Sequence, residues 1–186
     1  MYANYRRHPL HRLFAGLTED AFYAQVGVCD PRVVEYLVVL LLEFVHVDRL
    51  YKLRDPRGRR IESLTEMLSV DRRDLQERSG LTEGELHRYL GDFSLFWSGV
   101  FPEGMRYQPG GVHPDRLLDV VDRGKESYAI ASRFHDEDSD PPGSLFKRLS
   151  AEFELCVHGL GLVRQGWERR ERRDGGTPGE RGELLY

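Results

Sequence analysis

Apolar residues recur along this chain at helical spacing, and no stretch alternates apolar and polar side chains as a half-buried strand does. The densest segment opens on Asp30-Pro31, a capping side chain followed by proline at the first helical position, and closes on the turn Asp55-Pro56-Arg57-Gly58. The pattern predicts a helix to about Arg54, with Val33, Leu37, Leu40, Leu41, Phe44, Val47 and Tyr51 on one face. Val38, Val39, Leu42, Val45 and Leu50 carry the apolar surface round most of the circumference. A helix of that kind sits at the centre of a bundle or against another subunit.

A second helix is specified between Thr82 and Phe101. Thr82 and Glu85 have the spacing of a capping box, and Pro102 pushes the residue before it out of the helical region. Leu86, Tyr89, Leu90, Phe93, Trp97, Val100 and Phe101 fall on one aromatic-rich face. Beside it, Gly84, His87, Gly91, Ser94 and Ser98 form a groove of small and polar positions. A backbone or a flat ligand can come close there, so His87, Gly91, Ser94 and Ser98 are the candidate ligand-binding residues. A crossing helix is the expected occupant, with Gly124 as its contact, because glycine inside a helix costs about 1 kcal/mol relative to alanine unless something needs the space.

The remaining pattern is also helical. A short helix follows the basic start Arg6, Arg7, His8 and Arg12, restarts after Thr18 and ends at Gly27. Ser63 and Glu66 open a modest helix through Leu68, and His113-Pro114 opens one to about Phe134, with Leu117, Val121, Gly124, Tyr128 and Ala131 inward. After the acidic loop Asp136 to Asp140 and Pro141-Pro142-Gly143, Ser144 begins a last helix with Leu149, Phe153, Cys156, Leu160, Val163 and Trp167 inward. Residues 174–186 turn to glycine, proline and charge and are expected to be a disordered tail. The fold class is all-α: residues 1–173 form a single-domain bundle of about five or six helices.

Composition narrows the function classes. The chain has 186 residues, enough for one domain with a sizeable core and no need of disulfide or metal. Its net charge of −4, from 27 basic and 31 acidic side chains, lacks the basic excess of a general nucleic-acid binder. Lys52, Lys125 and Lys147 are the only lysines, and the arginine excess reads as coding bias. Cys29 and Cys156 stand far apart with no signal-peptide pattern, which fits free thiols in a cytoplasmic setting. The longest unbroken apolar run, Tyr36 to Leu42, is far short of the roughly 20 residues that cross a bilayer, so no membrane partner is expected.

Several constellations bear on chemistry. Glu43 and His46 have the Glu-x-x-His spacing of carboxylate-bridged di-metal bundles, but such a site needs two of these motifs and two further glutamates. The nearest partners, Glu154 and His158, lie away from the apolar face of the last helix, so no metal is expected. Asp136, Asp138 and Asp140 open like a calcium loop, which Pro141 and Lys147 then break. Gly124-Lys125 has the pair found in phosphate loops, yet Asp119 and Glu126 stand where glycine and serine or threonine belong. Asp48 lies between Phe44 and Tyr51 at the core edge of its helix and calls for a partner, with Lys125 the candidate for a buried ion pair. No catalytic constellation converges.

The string Arg88-Tyr89-Leu90-Gly91-Asp92 resembles the distal-helix segment of haem oxygenases. That resemblance implies an all-helical fold, haem against glycine-rich backbone, and a ligating histidine on an early helix, where His46 is the candidate. Phe93-Ser94-Leu95-Phe96 departs from the small residues of that family and fills the space that haem needs. Over His11 to Trp167, in GDFSLFWSGVFPE, GKESYAIAS and RLSAEFELCVHGL, the chain is similar to a group of uncharacterised helical proteins from bacteria. This similarity implies one domain with a trimmed tail and carries no catalytic residues.

The expectation is therefore a cytoplasmic helical bundle that acts through protein–protein interaction, with itself included, and carries no cofactor. The alternative is a bundle that binds a small molecule, haem-like or hydrophobic, beside His87, Gly91 and Ser94.

Overall fold

The computed structural model describes residues 2–44, 76–77, 79–102 and 114–173. Among them the chain forms six α-helices and no strand. A 3-10 segment, Tyr2–Arg7, leads into α1, His11–Glu19. The chain then continues without a break as a π-helical segment, Asp20–Val26. Gly27 ends it at φ 81°, a left-handed conformation open to glycine, and Phe22 O accepts the amides of Gly27 and Val28 at 2.9 and 3.1 Å. The sequence pattern located the stop at Gly27, but the restart expected after Thr18 is instead an unbroken passage into the wider π pitch.

Asp30 opens α2, Pro31–Phe44, accepting the Arg32 amide on its side chain at 2.9 Å. The predicted continuation from residue 45 to Arg54 lies outside the described residues, as do Val45, His46, Asp48, Leu50 and the Ser63 to Leu68 helix. Every residue from Tyr36 to Phe44 is buried. The cover comes from the same chain, since α1, the 3-10 segment, α3 (Glu83–Val100) and α5 (Gly143–Ala151) all pack on α2. Val38, Val39 and Leu42, which the pattern placed either at the centre of a bundle or against another subunit, are interior positions of this chain, at 3%, 4% and 0% exposure.

The helix α3, Glu83–Val100, starts at the predicted capping box: Thr82 Oγ1 accepts the Glu85 amide at 3.3 Å, and Glu85 Oε2 accepts the Thr82 amide at 2.9 Å. It packs mainly on α4, Pro114–Ala131, and on α6, Phe153–Arg173. One further correction concerns the last helix, which is two. The segment from Gly143 to Ala151 is α5, and the chain breaks at Glu152 (φ −105°, ψ 22°) before α6 begins. Ser150 donates its hydroxyl to the Lys125 carbonyl at 2.8 Å beside that break, which ties α5 to α4.

Aromatic rings knit the helices together. Phe44 of α2 meets Phe96 of α3 edge-on at 4.7 Å, Tyr36 meets Phe146 of α5 at 5.8 Å, and Phe14 of α1 meets Trp167 of α6 at 5.2 Å. The predicted inward face of the last two helices is confirmed, with Leu149, Phe153, Cys156 and Leu160 at 0% exposure and Trp167 packed against the core.

Candidate functional site

The groove on α3 is filled from within. A Cβ on Gly91 would lie 2.7 Å from the ring of Tyr128, so this glycine makes room for a side chain of α4. The expected contact, Gly124, sits one turn away, where its own missing Cβ makes room for Ser94 and for Phe153. His87, Ser94 and Ser98 are each 4% exposed. The Tyr128 ring thus occupies the space that a flat ligand would need beside Gly91.

Behind that ring lies a polar cluster that the sequence reading did not isolate. Asp92 of α3, 6% exposed, accepts two phenolic hydrogens on Oδ1, from Tyr36 of α2 at 2.5 Å and from Tyr128 of α4 at 2.8 Å. Arg88, one turn earlier on α3, brings Nε to 3.6 Å from Oδ2, and its guanidinium lies over the Tyr36 ring at 5.7 Å. Burial pushes the Asp92 carboxyl up to about 6, against the pull of Arg88 and the two phenols. Burial and the Asp92 charge hold both tyrosines well above the usual phenol range. Three helices meet on this carboxylate, which is sealed from solvent and so holds the fold rather than a substrate.

The other predicted residues are placed separately. Glu43 is buried and accepts the Tyr5 hydroxyl at 2.7 Å, a bond that fastens the N-terminal 3-10 segment to α2. Lys125 pairs with Glu154 of α6 at 2.6 Å in a largely solvated bridge. Its proposed partner Asp48, and His46, lie outside the described residues. No group of three or more metal-ligating side chains occurs among the described residues. Cys29 is exposed and Cys156 buried, both free thiols, and burial pushes the Cys156 thiol up to about 12.

A cleft of about 470 Å³ lies open between α1 with its π segment and the C-terminal half of α6. The two elements run antiparallel: Phe14 lies on Trp167, Leu17 on Gly166 and Phe22 on Gly159. Arg12, Arg169, Arg170 and Arg173 line the cleft with Asp20 and Gln25. Among the described residues no carboxylate pairs with Arg12, Arg170 or Arg173. Arg170 and Arg173 sit in the last turn of α6, where cations complement the helix dipole. Arg12 does the opposite, standing in the first turn of α1 with no acid and no side-chain cap. An anion between these arginines would relieve both their mutual repulsion and that misplaced charge.

A glycine marks the floor. The absent Cβ of Gly91, Gly124 or Gly166 leaves room for a packed side chain, whereas nothing lies within 4 Å of the position a Cβ would take on Gly16. Gly16 is exposed in the middle of α1 and faces the cleft. The sequence signal for this site was the spacing Arg12, Gly16, Asp20, one residue per turn on a single face. Only the antiparallel packing of α6 turns that face into half of a cleft.

No protein-family model matches the chain, and neither a curated protein nor a solved structure does. No helix among the described residues is long and apolar enough to cross a membrane.

Proposed function

We propose that this chain is a helical bundle that binds a small anionic ligand in the arginine-lined cleft between α1 and α6. The carrying observation is the convergence of four arginines on one open cleft, three of them without an acidic partner among the described residues. Arginine suits this role because its planar fork of N–H donors matches phosphate and carboxylate oxygens two at a time. The volume falls within the range of ordinary small-molecule sites. This reading moves the ligand site away from His87, Gly91 and Ser94, where Tyr128 already packs. A cytoplasmic setting belongs to the same proposal and is supported by the two free cysteines.

Titration calorimetry with inorganic pyrophosphate at low ionic strength tests it. Saturable one-to-one binding is expected, and the double variant Arg12→Glu, Arg170→Glu should abolish it while the circular dichroism stays helical. Heats no larger than those from chloride at equal ionic strength would sink the proposal.

A second reading, a protein partner or another copy of the chain, is favoured by Tyr23, Leu118, Phe134 and Leu155, large apolar side chains left exposed. They come from four separate segments, and apolar residues scattered singly over a surface need no partner. It ranks below the first for that reason.

A further inference from the structure

The cleft has two unlike ends, and the π-helical segment builds the second. Residues five apart in an α-helix point about 140° away from each other, whereas the i→i+5 pitch of a π turn lines them up. Asp20 and Gln25 are five apart within Asp20–Val26, and Gln25 Nε2 donates to Asp20 Oδ2 at 3.1 Å across that single turn. Both line the cleft. Because α1 and α6 run antiparallel, Arg12, Arg170 and Arg173 gather at one end while Asp20 and Gln25 stand at the other, and Arg169 reaches back one turn to donate Nε to the Gln165 carbonyl at 3.1 Å. The helical rise separates Arg12 from Asp20 by about 12 Å along the axis.

These ends recognise different chemistry. The arginines offer only N–H donors, which suit phosphate oxygens. The Asp20 carboxylate offers only acceptors, repels a second phosphate and takes O–H donors; Gln25, already donating to it, still has its carbonyl and a second amide hydrogen. Between them Gly16 leaves the floor open and Leu17 gives one short apolar contact. Among the described residues no aromatic ring lines the cleft, so none of them would stack a nucleobase.

Resting on the anion-binding reading above, we infer that the ligand is a phosphorylated polyol, of the sugar-phosphate class, with its phosphate on the arginines and its hydroxyl groups on Asp20 and Gln25. The inference follows from the pairing of an arginine end with a carboxylate–amide end in one cleft, a pairing that requires the π turn.

Calorimetry with three probes tests it: a hexose 6-phosphate, inorganic phosphate and the free hexose. The hexose phosphate should bind about tenfold more tightly than inorganic phosphate, which is the worth of one hydrogen bond to a charged group. The free hexose should give no measurable binding. Asp20→Asn should bring the ratio between the two phosphates close to one, and Gln25→Leu should do so in part; both positions are exposed, so the fold survives either change. Equal affinities for the two phosphates in the wild type, or a loss on Asp20→Asn shared equally by both, would overturn the sugar-phosphate assignment and leave the anion site standing. Absence of binding by either phosphate would overturn the anion site itself, and this assignment with it.

Discussion

Asp92 shows how much one buried carboxylate sets for its neighbours. It is the point where α2, α3 and α4 meet through hydrogen bonds, and its charge is opposed by burial and by Glu43 nearby, while Arg88, Tyr36 and Tyr128 favour it. Its pKa of about 6 in the folded chain exceeds the ordinary 3.8 of the unfolded one. The unfolded chain therefore loses this proton first as pH rises. The stability contributed by Asp92 is complete below about pH 4, falls through the window to about pH 6 and is flat above it. Chemical denaturation of the wild type and of Asp92→Asn across pH 4 to 7 reads this directly. The wild type should lose about 3 kcal/mol relative to the variant across that window, the worth of roughly two pKa units. A difference that stays flat or grows with pH would show that Arg88 and the phenols outweigh burial. The pattern held no hint of it: on the helical wheel Asp92 falls with Glu85 and Arg88, away from the small-residue groove, where an acid reads as solvated. Its partners Tyr36 and Tyr128 are 56 and 36 residues away, and periodicity says nothing about contacts at that range.

At the level of the element, two mid-helix glycines demonstrate opposite uses of the same missing Cβ. In α3, a Cβ on Gly91 would strike the Tyr128 ring at 2.7 Å, and that ring is pinned by its bond to Asp92. In α1, a Cβ on Gly16 meets nothing within 4 Å. Gly91→Ala should destabilise the fold by about 1–3 kcal/mol through overpacking, despite the better helix propensity of alanine. Gly16→Ala should stabilise it by roughly 0.5–1 kcal/mol. Urea midpoints of the two variants beside the wild type check both, and a gain at Gly91 would mean that α3 and α4 do not cross as closely as described. Local signals of the same kind were legible in advance. Asp30-Pro31, Thr82 with Glu85, and Pro102 placed the start of α2 and both ends of α3, since caps act within a few residues of themselves. The π pitch after Thr18 and the break at Glu152 were not legible, because the apolar spacing runs on through both and only packing decides the backbone there.

In the whole molecule, α2 is the spine. An apolar helix with no polar face needs cover on every side, and a sequence does not say whether that cover comes from its own chain or from a second copy. Here α1, the N-terminal 3-10 segment, α3 and α5 supply it, with Tyr5 reaching over to Glu43 to close the N-terminal side. Of the two places the pattern allowed this helix, the centre of a bundle is the one that Val38, Val39 and Leu42 occupy, while Val45 and Leu50 lie outside the described residues. The placing of the arginines was illegible for a related reason: as composition they are balanced by acids, and only the antiparallel packing of α1 on α6 sets four of them around one cleft. Placing α2 inside one chain has a measurable consequence at Leu42, which is 0% exposed. Leu42→Lys buries a charge with no partner built for it, a change expected to cost more than about 4 kcal/mol and to unfold the domain. Light scattering of the wild type at high micromolar concentration should give the mass of one chain. A wild-type dimer that Leu42→Lys converts into a folded monomer would instead show that α2 is shared between two molecules, and the single-chain packing of Val38, Val39 and Leu42 would have to be abandoned.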